Sequence, residues 1–274
     1  MKDVAISFDG VPIHYEVQGT GPLALVFVHG WSCDRSYWEG QIGDFASQYR
    51  VVSIDLAGHG VSGLERNNWS IPASGRDIVA VVAKLGLKQV VLIGHSMGGP
   101  VIVAAARLMP DRLAGLVGVD TYRNLADVRK PEEIDRFLAP FRADFREATQ
   151  KFVSAMFISR SDPDLVARIV ADMASAPPAV GIAALKAGRD NDRNLQAGLQ
   201  ELREADIPVV AINSDYRPND LDAAQRFGVR IQLMSGVGHF VMIEDPKTFN
   251  RLLAATINEF AGAMTRSDRA RLGH

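Results

Sequence analysis

The sequence predicts an α/β fold built on a mostly parallel sheet with helices on both faces. Two observations carry that expectation. Residues 23–28, 51–54, 90–93 and 116–119 are continuous apolar runs, as strands covered on both faces must be. Between the third of these runs and an apolar helical segment at 99–107 stands Gly94-His95-Ser96-Met97-Gly98. Strand, G-x-S-x-G, helix is the setting of a turn so sharp that the backbone of its serine is strained. Side chains two residues either side of the serine would collide, which calls for glycine at 94 and 98. The turn lifts the Ser96 hydroxyl clear of the sheet, toward a helix N-terminus whose first N–H groups lack partners.

The elements follow in order. Residues 4–8 and 13–18 alternate between apolar and polar, with Asp9-Gly10 between them, and read as a β-hairpin at the sheet edge. Ile78, Val81, Val82 and Leu85 recur at helical spacing, and Gly86 supplies a C-terminal stop. After Asp120 the rhythm breaks. Residues 121–205 hold no strand pattern, but helical stretches at 132–158, 165–174, 180–187 and 195–204, punctuated by Pro131, Pro140, Pro163, Pro177 and Pro178. Strand patterns resume at 209–212 and 229–233. The last helix has Asp245 as N-cap, Pro246 at its first position, and Phe249, Leu252, Leu253, Thr256, Ile257 and Phe260 as its inward stripe. The polar tail, 265–274, is expected to fray.

Bulk properties narrow the function. A chain of 274 residues buries roughly 75% of its extended surface. Thirty basic against 32 acidic residues, a net charge of −2, predict neither a nucleic-acid partner nor an anionic membrane surface. Cys33 is the single cysteine, which excludes an internal disulfide and fits a reducing, cytoplasmic compartment. The first residues lack the apolar core of a secretory signal, and the apolar runs are too short to span a bilayer. With no G-x-x-x-x-G-K loop and no clustered Cys/His spacing, no cofactor and no metal are expected. The expected partner is a small molecule; the oligomeric state is left open.

Ligands of open α/β sheets bind at the carboxyl ends of the strands. There stand Ser96, His29-Gly30-Trp31, Asp120 and, after the last strand, His239 in a glycine-flanked loop. A serine hydroxyl needs a base, and the base an orienting group. His239 is the candidate base. His29 reads as a brace of its loop, His59 as part of a turn, and His95 as pointing away from the reacting side. Two amides are candidates for an oxyanion hole: that of Met97, directly after the serine, and that of Trp31, where Gly30 lets the backbone come close. The Trp31 ring is free to pack under the inserted helices. Asp120 and Asp215 both follow strands, and either position suits the acid that fixes the imidazole tautomer. Tyr122, Phe157, Tyr216 and Phe240 are candidates for an apolar substrate pocket. Cys33 reads as a packing residue rather than a second nucleophile.

These residues together resemble a known family. The N-terminal hairpin, His29-Gly30-Trp31, Asp55 to Ser62, Gly94 to Gly99, and Gly238-His239-Phe240 before Glu244-Asp245-Pro246 are similar to the capped α/β-hydrolases. The resemblance implies an eight-stranded sheet, a Ser–acid–His triad in that chain order, and a helical cap. It divides the chain into a core at 1–121 and 206–274 and a lid at 122–205. Relatives commonly carry Gly-x-x-Asp after the seventh strand. Here Ser214-Asp215-Tyr216-Arg217 puts Arg217 in the acid's usual place. Some branches carry the acid after the sixth strand, so Asp120 is preferred to Asp215. A serine nucleophile argues against haloalkane dehalogenase and epoxide hydrolase chemistry, which uses aspartate. The implied activity is hydrolysis of small to medium apolar carboxylic esters through an acyl-enzyme. The same residues suit a lactonase, a C–C bond hydrolase, a cofactor-free perhydrolase, or a receptor with little turnover.

Overall fold

Eight strands form one sheet: β1 (Lys2–Ile6), β2 (Pro12–Gln18), β3 (Leu23–Val28), β4 (Arg50–Ile54), β5 (Gln89–His95), β6 (Leu113–Val119), β7 (Val209–Ser214) and β8 (Val229–Met234). Their spatial order is β1-β2-β4-β3-β5-β6-β7-β8. The computed structural model describes residues 1–272, with side chains as far as Ala263. Of the tail expected to fray, 265–272 continue the last helix, and 273–274 lie outside the described residues. β2 runs antiparallel to both β1 and β4, and every later pairing is parallel. The hairpin lies at the sheet edge, as its alternation predicts, but β1 starts and ends two residues earlier than expected. Val4 pairs with His14, the turn closes with Gly10 at φ 86°, and Phe8 is left exposed beyond the strand.

Successive side chains of a buried strand enter opposite cores. Leu25 and Phe27 of β3, with Val91 and Ile93 of β5, join Trp38, Phe249 and Phe260 on one face. Val26, Val28 and Leu92 join Ile78, Val81 and Ile102 on the other. Both faces are apolar, so the strands read as unbroken apolar runs.

Eleven helices are described: α1 (Glu39–Phe45), α2 (Ile71–Lys84), α3 (Gly98–Ala106), α4 (Pro131–Ala143), α5 (Phe145–Ser154), α6 (Pro163–Met173), α7 (Pro178–Arg189), α8 (Asp192–Glu204), α9 (Leu221–Arg226), α10 (Val241–Glu244) and α11 (Pro246–Leu272). Five of them, α4 to α8, occupy the span between β6 and β7. The single helical stretch expected at 132–158 is two helices. Asp144 adopts an extended conformation, ends α4, and caps α5 by accepting from the Glu147 N–H at 2.9 Å. α8 differs from its neighbours. Its Leu199 and Leu202 are buried in the second core, and it packs on α3, as a crossover helix of the sheet does. α11 begins as the sequence implies, with Asp245 accepting from the Thr248 N–H at 3.1 Å. Among the described residues no single helix is long and apolar enough to cross a membrane.

Candidate active site

Ser96 sits at the tip of the turn between β5 and α3 with φ 51°, a left-handed conformation that costs a non-glycine residue energy and must be held by its surroundings. The hold is visible. The Ser96 N–H donates to the Val119 carbonyl of β6 at 2.9 Å, and the Ser96 carbonyl accepts from Gly99 at 3.0 Å. A Cβ at Gly94 would lie 2.4 Å from the Gly98 carbonyl oxygen, which accounts for glycine there. The reason at Gly98 is different from the one expected. Its Cβ would meet the carbonyl oxygens of Val28 and His29 at 2.6 and 2.8 Å, so the end of β3, and not position 94, excludes a side chain. The Ser96 hydroxyl makes no hydrogen bond among the described residues and faces a cavity that His239 also lines.

His239 is fixed from several sides. Its N–H donates to the Met156 carbonyl at 2.8 Å. Its own carbonyl accepts from His95 Nε2 at 3.1 Å, and the two imidazoles pack with centroids 4.6 Å apart. Nδ1 lies 2.5 Å from Asp120 Oδ2. A carboxylate only accepts, so Nδ1 carries the proton and Nε2 is left with its lone pair.

Asp120 is buried at the end of β6, with φ 48°. Its second oxygen, Oδ1, accepts from the Ser214 N–H at 2.7 Å and from the Arg123 guanidinium. Arg123 also donates to the carbonyls of Ser214 and Arg217, at 2.9 and 2.8 Å. Asp215 is elsewhere. It is exposed, and its carboxylate accepts from the Ser235 hydroxyl at 2.6 Å. Of the two candidate acids, Asp120 is the one in contact with the imidazole.

The other buried histidines brace loops. His29 Nε2 accepts from the Leu56 N–H at 3.1 Å, so its Nδ1–H donates to the Gly30 carbonyl at 2.8 Å. Burial lowers its pKa to about 4. His59 bonds the Ala57 carbonyl at 3.0 Å, and burial lowers it to about 3. His95, fully buried, is held well below the usual histidine range by burial and by the neighbouring His239.

Neither the Trp31 nor the Met97 amide donates a hydrogen bond among the described residues. Both residues line the cavity with Ser96. Gly30 brings the chain there: its Cβ would meet His95 Nδ1 at 2.9 Å and Ser96 Cβ at 3.3 Å. The Trp31 ring packs edge-on against Phe141, Phe145 and Phe152, and its Nε1 donates to the Gly181 carbonyl of α7 at 2.8 Å.

The cavity holds about 240 Å³. Tyr122 and Phe240 line it, as expected; Phe157 and Tyr216 do not. Phe157 stacks behind Phe240, with centroids 5.1 Å apart. The guanidinium groups of Arg123 and Arg217 each lie 5.1 Å from the centre of the Tyr216 ring. Burial and the nearby Asp120 push its phenol up to about 12. The inserted segment supplies wall residues that the sequence did not single out, among them Phe152, Met173, Leu185 and Arg189 from its helices and Met156 from the turn after α5. A helical stripe tells which residues face inward but not which of several inward faces meets a ligand. Cys33, also in the wall, is buried, and burial raises its thiol well above the ordinary range. Among the described residues no group of three or more His, Cys, Asp or Glu side chains is arranged to hold a metal.

The profile described as the alpha/beta hydrolase family matches residues 25–252. The pimeloyl-acyl-carrier-protein methyl ester esterase of Sodalis glossinidius is 27% identical over 74% of this chain and 78% of its own length. The dihydrolipoyllysine-residue acetyltransferase component of the acetoin cleaving system of Cupriavidus necator is 24% identical over 89% of this chain, which spans 66% of that protein's length. Among solved structures, a thermophilic esterase from Thermogutta terrifontis with malate bound superposes with a TM-score of 0.81 at 24% identity. That match covers 95% of this chain and 99% of that one.

Proposed function

Because this chain belongs to the alpha/beta hydrolase family, we propose that it is a serine hydrolase of the carboxylesterase type, acting through an acyl-enzyme. Ser96 is the nucleophile, His239 the general base and then the general acid, and Asp120 the group that fixes the imidazole. The single observation that carries the reading is the Asp120–His239 pair, 2.5 Å apart, whose imidazole lines one cavity with a strained serine and two residues with unengaged amides. The ester relatives and the esterase-like architecture support it.

The steps follow from these positions. The Ser96 hydroxyl closes on His239 Nε2 once an ester occupies the cavity, since such contacts often tighten only in the complex. Ser96 Oγ attacks the acyl carbon as Nε2 takes its proton. The Met97 and Trp31 amides receive the developing oxyanion, each worth roughly 10²–10³ in rate. The imidazolium is stabilised by the buried Asp120 carboxylate and gives its proton to the leaving alkoxide. Water then repeats the sequence on the acyl-enzyme. Helices α4 to α7 act as the cap, while α8 belongs with the core that its leucines enter.

The test uses a fluorophosphonate probe and p-nitrophenyl acetate on the wild type and on Ser96→Ala. The wild type should label and turn over; the variant should not label and should lose at least about a thousandfold in kcat. A wild type that neither labels nor turns over, or a variant that keeps its rate, overturns the proposal.

A further inference from the structure

Arg189, at the C-terminal end of α7, lines the cavity that holds Ser96 and His239. α7 lies close over the serine turn here: a Cβ on the adjacent Gly188 would be 3.9 Å from the Met97 side chain. The other arginines of the wall are engaged. Arg123 pairs with Asp120, and Arg129 with Asp192 at 2.6 Å. Arg129 also donates its backbone N–H to Asp192 at 2.8 Å, so both oxygens of that carboxylate are taken. Asp190, next in sequence to Arg189, pairs with Lys186 at 3.0 Å.

Arg189 itself makes no side-chain hydrogen bond and no ion pair among the described residues, and its Nε is buried without a partner. Its guanidinium carbon lies 3.3 Å above the centre of the Phe137 ring. A guanidinium stacked on an aromatic face keeps its N–H groups in the plane and hence free for a bidentate acceptor. Burial lowers the affinity of Arg189 for its proton to about 10, still charged at neutral pH. A partly desolvated charge with no carboxylate in contact is costly to hold; the neighbouring Arg129 adds to that cost, and Asp192, already engaged by Arg129, offsets only part of it. An anion entering the cavity would relieve that cost.

We propose that Arg189 is a specificity-determining residue that binds a carboxylate on the substrate, so that the preferred substrates are half-esters of short dicarboxylic acids. The proposal rests on the hydrolase reading above and adds the chemical class of the substrate.

Two esters of equal chain length decide it. Monomethyl glutarate and methyl pentanoate differ only in a terminal carboxylate against a terminal methyl. The wild type should prefer monomethyl glutarate in kcat/KM by roughly 10- to 100-fold, the range of a charge-assisted bidentate contact. Arg189→Met should erase that preference, its loss on the half-ester exceeding its loss on the neutral ester by about the same factor, chiefly through KM. Arg189→Lys should recover part of it. Equal handling of the two esters by the wild type, or equal losses on both in Arg189→Met, overturns the proposal while leaving the hydrolase reading in place. A second arm does not depend on turnover. Glutarate is titrated calorimetrically into Ser96→Ala and into Ser96→Ala/Arg189→Met. Binding by the first and at least tenfold weaker binding by the second supports the proposal; no difference overturns it. If neither ester is cleaved and Ser96 does not label, the hydrolase reading falls and this arm alone decides the role of Arg189.

Discussion

Replacing Asp120 by asparagine separates the role of its charge from that of its shape. The carboxylate is buried and fully occupied: Oδ2 faces His239 Nδ1 at 2.5 Å, while Oδ1 accepts from Ser214 N–H at 2.7 Å and from Arg123. An asparagine has one accepting oxygen. Two donors, one of them a guanidinium, compete for it on the Oδ1 side, so the amide NH₂ turns toward the imidazole. The ring must then present an unprotonated Nδ1, and its proton moves to Nε2, where it cannot accept the serine proton. The expected loss is about 10⁴ in kcat, or about 5 kcal/mol of transition-state stabilisation. Stability should fall less, by about 1–3 kcal/mol, because the acceptor for Ser214 and Arg123 is kept. The assay is saturation kinetics with p-nitrophenyl acetate, with a thermal melt to show that the variant is folded. Asp215→Asn is the control. Its carboxylate is exposed and, among the described side chains, bonds only Ser235, at 2.6 Å, so kcat should stay within about threefold and stability within about 0.5 kcal/mol. If Asp120→Asn keeps its rate within tenfold, or Asp215→Asn loses the more, the reasoning about the acid is wrong.

Two further outcomes follow from packing and burial. His29 has its pKa lowered to about 4 in the fold, chiefly by burial, against roughly 6.5 in an unfolded chain. A depressed value means the unfolded state takes up the proton first, so the stability from His29 is present above about pH 6.5 and is lost as pH falls toward 4, up to about 3 kcal/mol. Urea unfolding at pH 7.5 and pH 5 should show this fall for the wild type and a smaller one for His29→Gln; equal falls would refute it. Gly98→Ala should destabilise by about 1–3 kcal/mol, since its Cβ would meet the Val28 oxygen at 2.6 Å. Helix propensity alone would favour alanine by about 1 kcal/mol, so a stabilised variant in urea would show that β3 does not approach that closely.

The parallel strands and the serine turn were legible because their signals are local: unbroken apolar runs, and glycines at fixed offsets from Ser96. The first strand reads two residues late because pairing with β2, not the alternation of residues 4–8, sets where β1 ends. Helices α4 and α5 read as one because the apolar period carries across Asp144, and only its extended backbone breaks them. Asp120 and Asp215 both follow strands, and sequence position alone could not tell which carboxylate turns inward. The pocket was the least legible part. Phe157 and Tyr216 are aromatic, yet one stacks on Phe240 and the other packs against two arginine guanidiniums. Arg189 reaches the cavity only because α7 crosses Met97, an arrangement of long-range packing.

The indole of Trp31 grips the Gly181 carbonyl at 2.8 Å, while the same residue lines the chamber that Ser96 faces. One residue thus fastens α7, over the chamber, to the loop beside the serine turn. Any swing of α7 wide enough to admit a bulky guest must break that clasp or drag the turn beside Ser96 along with it.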